Sequence, residues 1–512
     1  MSPLFALLLA IPALPLVAGL ISRYLSGANA GRLATGSSAL STILAASATL
    51  SLIMQGSITV SAGWADRLAP FTPALRLDGI SVTMVLLVAF LGTVVLHFSR
   101  RYLAGDQGQA RFFSWMSLTL SAVLLLVLAS NLLILWLAWV ATSLCLHRLL
   151  LFYPGRAGAV FAARKKFVVS RIADVCLLGA IVLLYQSFGT LDFDTLFARI
   201  ESGSGESLTL VGLLLVACAA LKSAQFPFHS WLPDTMETPT PVSAFMHAGI
   251  INAGGFLIIR LSPLLVEAPG ALTTLAIIGT VTAVFGAVVM LPQPSVKRAL
   301  AFSTIAQMGF MMLQCGLGAF GLALVHIVAH SLYKAHSFLR AGSTIDAVPR
   351  AAKSLRTPAL AMGVIAGAVL VSASATIIHL FNPQIVPHLG VFALILMLAL
   401  AYGMARAWSV SMHSRTITRT IVAAAGIALV SLILHGGAQA LFGEVPKHTP
   451  SVGLITAIGI IFAGLFTFQV LLWRTGHHKW GRIFYVHALN GFYVGTWANR
   501  LLNNLWPSKT HS

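Results

Sequence analysis

The chain has 512 residues, of which 58% are apolar and only 9% are Asp, Glu, Lys or Arg. Soluble domains carry about 25% charged residues, so this composition excludes a soluble enzyme and a disordered chain. The formal net charge is +19. In a soluble protein such a charge would suggest a nucleic-acid partner, but in a hydrophobic chain Lys and Arg first report which loops face the cytoplasm.

Apolar stretches long enough to cross a membrane recur along the whole sequence. A spanning helix needs about 20 apolar residues, and fifteen stretches meet this condition. The gaps are short, so we predict an all-α polytopic membrane protein with about 15 transmembrane helices, forming a single integral membrane domain over residues 1–512. The predicted spans are 3–22, 33–54, 79–98, 112–130, 131–151, 166–186, 207–225, 241–262, 270–292, 297–316, 318–339, 359–381, 387–408, 418–440 and 451–473.

The basic residues are distributed unevenly between the two sides of the predicted membrane. If the N-terminus lies outside, most Lys and Arg fall in cytoplasmic gaps and most acids fall outside. This asymmetry predicts an outer N-terminus and a cytoplasmic C-terminus, and it argues against a nucleic-acid surface. In residues 475–512, aromatic residues alternate with Arg482, His487 and Arg500. This pattern predicts an amphipathic helix that forms a cytoplasmic tail and lies against membrane lipid.

The seventh predicted span carries a lysine beside two prolines. The stretch 221–255 reads LKSAQFPFHSWLPDTMETPTPVSAFMHAGIINAGG, with Lys222, Pro227 and Pro233 close together and His247 on the next span. Proline breaks a helix, and broken helices at membrane depth occur inside protein or beside a water-filled cavity. We therefore predict a broken seventh helix at which Lys222 faces water and can exchange a proton, with His247 on the next span as a relay. The alternative is a snorkelling lysine and a hydrogen-bonded core histidine.

A second group of ionisable residues lies in the eleventh span. His326, His330 and Lys334 follow one another at intervals of four residues, so they share one helix face. Such a column can pass protons through intervening water. Two alternatives are structural polar packing and half of a zinc site, although no third ligand is in view and the lysine would repel a cation.

The sixth span contains an acid and a base three residues apart. Arg171 and Asp174 share one helix face, and Asp174 is the only acid inside a predicted span. One interpretation is a buried ion pair that neutralises itself. The other makes Asp174 the partner that modulates Lys222, because ionisable groups in a span are functional candidates by default.

Residues 221–255, together with AFSTIAQMGFM at 301–311, resemble the proton-translocating antiporter-like family. This family comprises the large membrane subunits of respiratory complex I and the Mrp-type antiporters, and the resemblance is greatest to its NuoL-like branch. It covers roughly residues 70–345, which we take as the antiporter-like core, and it includes NLLILWLAW and KKFVVSRIADV. The resemblance implies a proton path through Lys222, His247, His326, His330 and Lys334.

Two charges expected from this family are absent. The family has Gly-Trp-Glu in the fifth span, where the glutamate pairs with the lysine of the broken helix, but the sequence here is Ala138-Trp139-Val140. The family's lysine in the twelfth span is also missing. The polar residues in that span are Ser372, Ser374, Thr376 and His379.

The short core and the tail RIFYVHALNGFYVGTWANRLLN resemble the DabB family, the membrane subunits of bacterial inorganic-carbon pumps. This resemblance implies a bacterial inner-membrane location and a DabA-like peripheral zinc protein as the cytoplasmic partner. The partner would hydrate CO2 to bicarbonate, and this chain, itself not an enzyme, would supply the ion path and hold no cofactor.

The alternative function is ion translocation in a respiratory complex I-like or Mrp-type antiporter complex. A third possibility is a structural scaffold whose path is inactive, since two family charges are missing. The sequence leaves the choice between H⁺ and Na⁺ open, although His and Lys favour H⁺ because Na⁺ needs oxygen ligands.

Overall fold

A computed structural model describes residues 3–61, 74–203, 207–344, 356–381, 386–442, 448–475 and 478–506. Parts of the predicted antiporter-like core and of the tail, residues 507–512 among them, lie outside these ranges. Within them, twelve helices are long and apolar enough to cross a membrane.

The first six spans are six helices, each joined to the next by a short connection, apart from a two-stranded antiparallel hairpin between the second and the third. A short helix, α7, follows the sixth span. The bounds are α1 Pro3–Ser22, α2 Gly27–Gln55, β1 Ile58–Ser61, β2 Ala74–Leu77, α3 Gly79–Tyr102, α4 Gln109–Leu128, α5 Leu132–Leu150, α6 Ala157–Phe188 and α7 Phe193–Glu201.

The seventh and eighth spans are both interrupted. The bounds of their segments, with intervening 3₁₀ turns, are α8 Thr209–Lys222, the turn Phe228–Ser230, α9 Trp231–Asp234, the turn Thr235–Glu237, α10 Thr240–Ala248, the turn Ile250–Asn252, α11 Ala253–Arg260 and α12 Ser262–Val266. The break in the seventh span was predicted, whereas the break in the eighth was not.

The remaining spans are seven helices, followed by two shorter ones. Their bounds are α13 Pro269–Met290, α14 Val296–Gly316, α15 Phe320–Leu339, α16 Thr357–Phe381, α17 Val386–Val410, α18 Ser414–Phe442, α19 Val452–Thr475, α20 Lys479–Leu489 and α21 Val494–Leu505. Every predicted span therefore coincides with a helix or a broken helix. Three of them, α8, α15 and α18, are not among the twelve helices that meet the length and hydropathy criteria. The predicted all-α polytopic fold is confirmed.

A buried ion network fixes one end of α3. The Asp78 carboxylate accepts a hydrogen bond from the Ser81 backbone N–H at 2.8 Å, and the Ser81 hydroxyl accepts one from the Asp78 N–H, which forms a capping box. The same carboxylate accepts two hydrogen bonds from the Arg260 guanidinium and one from Arg76. Asp78 therefore joins the start of the third span to the end of the eighth.

Glycines bring α13 and α14 into backbone contact. A Cβ added to Gly279 would lie 2.4 Å from the Leu313 backbone nitrogen, and one added to Gly309 would lie 2.4 Å from that of Ala283. Real Cβ atoms do not approach backbone so closely, so these positions require glycine. Small residues that allow backbones to approach closely are a general device of helix packing in membranes.

The predicted start of the sixth span is too late. The helix begins at Ala157 rather than at residue 166, and Lys165 and Lys166 are buried inside it. The predicted bounds had placed Lys165 in the cytoplasmic gap and Lys166 at the first position of the span. The Lys165 ammonium instead pairs with Asp234 at 2.8 Å and donates a hydrogen bond to Asn499 at 2.6 Å.

The C-terminal tail forms two helices rather than one, because Phe492 and Tyr493 adopt left-handed backbone angles between α20 and α21. The tail packs against the core: the Phe492 ring contacts Phe285 of α13, and Asn499 of α21 binds Lys165. Large apolar side chains remain exposed on both helices, in keeping with a surface element.

Candidate ion path

The seventh span stops at Lys222, five residues before Pro227. Ser223 follows the helix, and Ala224 has a left-handed φ of 50°, which turns the chain out of the helical path. The interruption is thus built by the residues between the lysine and the proline. It leaves Lys222 at the end of a helix, buried with only 5% of its surface exposed.

The Lys222 ammonium is surrounded by an aromatic ring and other charges. Its Nζ lies 4.3 Å from the centre of the Trp139 ring and donates no hydrogen bond to any described residue. The Asp174 carboxylate is close enough to interact electrostatically with Lys222, and it forms an ion pair with Arg171 at 2.7 Å. The structure therefore brings together three of the predicted residues in what we call the lysine cluster.

Lys166 also belongs to the lysine cluster, although it was not among the predicted site residues. Only 3% of its surface is exposed, and its ammonium donates hydrogen bonds to the Ser143 carbonyl at 2.9 Å and hydroxyl at 3.0 Å. It interacts electrostatically with Lys222, Arg171 and Asp174. In the sequence it ends a run of three basic residues, which is typical of a cytoplasmic loop and conceals its burial.

Val140 occupies the position of the family's glutamate and is half-buried beside Trp139. No carboxylate comes from α5 in this region. The acid near Lys222 is Asp174 of α6, one turn after Arg171. The negative charge expected near the lysine is therefore present, but it comes from α6 rather than α5. Asp174 further accepts a hydrogen bond at its backbone carbonyl from the Trp136 indole, at 3.0 Å.

The second group of predicted residues also assembles, in what we call the histidine cluster. His247 of α10 forms a hydrogen bond with the Thr304 hydroxyl at 2.9 Å, and its ring stacks on Phe338 with centroids 4.4 Å apart. Lys334 has no exposed surface, and its ammonium donates to the Leu300 carbonyl at 3.1 Å. His247 and Lys334 interact electrostatically, which places the eighth span against the α15 column.

His326 and His330 continue the histidine cluster along α15. Their ring centroids are 6.2 Å apart. The ring nitrogens of His326 bind Gln314 at 2.8 Å and Gln307 at 2.9 Å, whereas those of buried His330 have no hydrogen-bond partner among the described residues. His330 interacts electrostatically with the two other histidines and with Lys334. In the described ranges, no group of three or more His, Cys, Asp or Glu could hold a metal ion.

The twelfth span contributes neutral polar groups. Ser374 and Thr376 of α16 donate to carbonyls of their own helix, at 2.9 Å in each case. The side chain of His379 lies outside the described residues.

Comparisons with known proteins identify the family of this chain. Residues 129–418 match the family described as NADH:quinone oxidoreductase/Mrp antiporter, TM. Residues 68–113 match the family described as NADH-Ubiquinone oxidoreductase (complex I), chain 5 N-terminus. Together the matches include the predicted core of residues 70–345 except for a short gap, and they reach into α18.

Two similar proteins are inorganic carbon transporter subunits by name. The "Probable inorganic carbon transporter subunit DabB2" of Halothiobacillus neapolitanus is 40% identical over 453 residues, covering 85% of this chain and 81% of that protein. The "Probable inorganic carbon transporter subunit DabB" of Hydrogenovibrio crunogenus is 36% identical over 437 residues, covering 84% of this chain and 83% of that protein.

The fold is similar to that of a subunit in the solved structure of the Mrp complex from Dietzia sp. DQ12-45-1b. The TM-score is 0.66 at 23% sequence identity, and the match covers 99% of this chain and 60% of that longer one. The fold and the sequence match define an ion-translocating, multi-pass membrane subunit of the antiporter-like class. Within the NADH:quinone oxidoreductase/Mrp antiporter family, the chain belongs to the DabB group.

Proposed function

We propose that this chain is the proton-conducting subunit of a complex that accumulates bicarbonate, and that it energises a partner that hydrates CO2. The observation that carries the proposal is the buried Lys222 at the break of the seventh span, with Asp174 in electrostatic contact. A buried ion at membrane depth is costly and is retained where it functions. The names of the DabB relatives direct the proposal towards inorganic carbon.

The conducted ion in this proposal is H⁺. Both clusters consist mainly of lysine, arginine and histidine, which can bind and release protons or hold them in place. A Na⁺ ion would require several oxygen ligands, and the lysine cluster holds three cationic side chains against the single Asp174 carboxylate. The path runs from the lysine cluster to the histidine cluster, through Lys222, His247, His326, His330 and Lys334.

The energy available fits the proposed task. One elementary charge that crosses the membrane releases about 2.3 kcal/mol per 100 mV. Hydration of CO2 is close to balanced, so a coupling of this size would make it effectively one-way. The zinc site and the carbon chemistry belong to the partner, which we propose to be a DabA-like peripheral protein on the cytoplasmic side of the bacterial inner membrane.

Purification from native membranes tests the partner. The full chain carrying an affinity tag should retain a large soluble protein that contains about one zinc per copy by metal analysis. Recovery of quinone-linked or Mrp subunits in its place would overturn the carbon proposal and favour the alternative function. Charge reversal at Arg482 or Arg500 should weaken retention if the tail docks the partner, and unchanged retention would exclude that docking site.

Proton uptake tests the ion. The purified complex, reconstituted in vesicles with an imposed membrane potential, should acidify or alkalinise the lumen without added Na⁺. Uptake that requires Na⁺ would contradict the assignment of H⁺. Labelling of single cysteines introduced at either terminus should place the N-terminus outside and the C-terminus in the cytoplasm, and the opposite pattern would overturn the proposed topology.

A further inference from the structure

The breaks of the seventh and eighth spans touch each other. The Ser223 hydroxyl, directly after Lys222, donates a hydrogen bond to the Ile251 carbonyl at 2.6 Å. A Cβ on Gly254 would lie 2.4 Å from the Ser223 Oγ and 2.6 Å from the Ala219 carbonyl oxygen. The end of α8 and the 3₁₀ turn of the eighth span are therefore held together at contact distance.

Asn252 ends that 3₁₀ turn, and its side chain reaches across to α15. It has no exposed surface, and its Nδ2 donates to the Ala248 carbonyl at 2.9 Å and to the Ser331 hydroxyl at 2.8 Å. A carbonyl can only accept, so the bond to Ala248 fixes which end of the amide is nitrogen. The Oδ1 of Asn252 has no hydrogen-bond partner among the described residues.

Ser331 receives this bond beside two residues of the histidine cluster. Its own hydroxyl donates to the Ile327 carbonyl at 2.6 Å, which leaves its lone pairs to accept from Asn252. It directly follows His330 and precedes Lys334 by three residues. Asn252 thus makes a buried hydrogen bond between the interrupted eighth span and α15, which carries the ionisable column.

We infer that Asn252 is a positioning residue, and that its bond to Ser331 holds the two clusters in register so that a proton passes between them. The inference rests on the proposed function and deepens it. Lys222 is followed by Ser223, Ser223 holds Ile251, and the next residue, Asn252, holds Ser331 next to His330. A shift of the broken seventh span on protonation of Lys222 is transmitted to α15 by this route.

The buried polar atoms without partners along this route agree with the inference. The Oδ1 of Asn252, both ring nitrogens of His330 and the Nε2 of His247 are all buried and without hydrogen-bond partners among the described residues. Buried polar atoms are almost always hydrogen-bonded, and exceptions concentrate where a structure works. The atoms that lack fixed partners lie on both sides of the Asn252–Ser331 bond.

A pair of isosteric variants at position 331 tests the role. Threonine keeps a hydroxyl that can accept from Asn252, whereas valine has the same shape without it. In the reconstituted complex, we expect Ser331→Val to lower proton uptake by about tenfold, equivalent to a barrier increase of about 1.4 kcal/mol. Ser331→Thr should stay within about twofold of the wild type. Asn252→Ala should resemble Ser331→Val, and the two changes combined should cost no more than either alone.

The outcomes separate this inference from the proposal beneath it. Equal uptake by the threonine and valine variants, with intact assembly, would overturn the role of the bond. Equal losses in both variants would reduce Ser331 to a packing residue and overturn it as well. Lys222→Ala is measured in parallel: if that variant conducts normally, the proposed function itself fails, whereas a loss confined to Lys222→Ala refutes only the inference about Asn252.

Discussion

The Lys222 ammonium lies 4.3 Å from the centre of the Trp139 ring. The residue after Trp139 is Val140, at the position where the family has its glutamate. An ammonium over an indole face is stabilised by the ring quadrupole by about 2 kcal/mol or more once both groups are desolvated. This contact attracts the ammonium but accepts no proton from it. A directly paired carboxylate would instead hold the proton of the ammonium in a hydrogen bond. We expect Trp139 and Asp174, which interacts electrostatically with Lys222, together to take the place of the missing acid.

Replacement of Lys222 is the most direct test of the path. Lys222→Ala should abolish proton uptake and the activity of the energised partner, because no other described cation ends the broken seventh span. Uptake in vesicles and co-purification of the partner provide the two measurements. Arg298→Ala, which removes an exposed cation at the start of α14, is the matched control and should behave as wild type.

Asp174 offers a test between the self-neutralising ion pair and a partner of Lys222. Asp174→Asn should lower uptake by at least about tenfold, because three cations would remain in the lysine cluster without an acid. Asp174→Asn should also lower the thermal stability, because it leaves Arg171 without its partner. The double variant Arg171→Gln/Asp174→Asn should restore that stability, because it removes both members of the ion pair. Restored uptake in the double variant would show that the pair is purely structural.

Lys334 is expected to be essential for conduction but not for assembly. Lys334→Ala should lower uptake to the background level while the partner still co-purifies, because Lys334 makes one hydrogen bond, to the Leu300 carbonyl, among those the structure describes. Size-exclusion profiles measure the assembly. A complex that falls apart on this change would support structural polar packing in the histidine cluster instead.

The Asp78 network predicts how stability depends on pH. Burial would raise the pKa of Asp78, but the Arg260 and Arg76 guanidiniums outweigh burial and hold that pKa well below its usual range. A carboxyl with a depressed pKa stabilises the fold fully above its unfolded pKa of about 3.9, and the contribution is lost as the pH falls towards the folded value. The melting temperature in detergent should therefore be level from pH 7 to about pH 5 and fall below about pH 4.

The Asp78→Asn variant is the control for this pH dependence. It leaves Arg260 buried without its carboxylate, which typically costs about 3–5 kcal/mol for a buried pair. Its melting temperature should be lower at neutral pH and should change less between pH 5 and pH 3. Equal slopes in the variant and the wild type would show that other carboxyl groups govern the acid transition.

The glycine contacts predict a sharp contrast between two helices. Gly309→Val should destabilise the fold by at least about 1–3 kcal/mol, because the new side chain would meet the backbone of α13. Gly403→Ala in α17 meets nothing within 4 Å and should be neutral or stabilising. Thermal unfolding in detergent compares them, and equal stability of the two variants would contradict the packing described.

Helix positions and the ionisable residues inside the spans could be predicted because hydrophobic runs and spaced ionisable residues are local signals, whereas the role of these residues as a path stays a prediction. The break in the eighth span could not be predicted, because Gly249 and Asn252 lie in a run that is otherwise largely apolar, and the interruption is stabilised by Ser223 and Ser331 from other helices. Lys166 was hidden for a similar reason. Its burial depends on Ser143 of α5, a contact between residues that are distant in the sequence.

The tail was predicted as one helix because its aromatic pattern continues through both halves. The division depends on left-handed backbone angles at Phe492 and Tyr493, residues that rarely adopt them. Contacts with the core compensate for this conformation, including the Phe492 ring against Phe285. Such contacts are a property of the folded chain and leave no periodic signal in the sequence.

The glycine seam between α13 and α14 has a mechanical consequence. Helices whose backbones are in direct contact cannot slide or rotate past each other without a steric clash, so we expect this pair to move as one rigid unit. α13 contacts the broken seventh span, where the Thr282 hydroxyl accepts a hydrogen bond from the Phe226 N–H at 3.0 Å. α14 supplies Thr304 and Gln307 to the histidine cluster. We expect a displacement of the loop after Lys222 to be passed on by this pair as one rigid unit, with the deformation confined to the two interrupted spans.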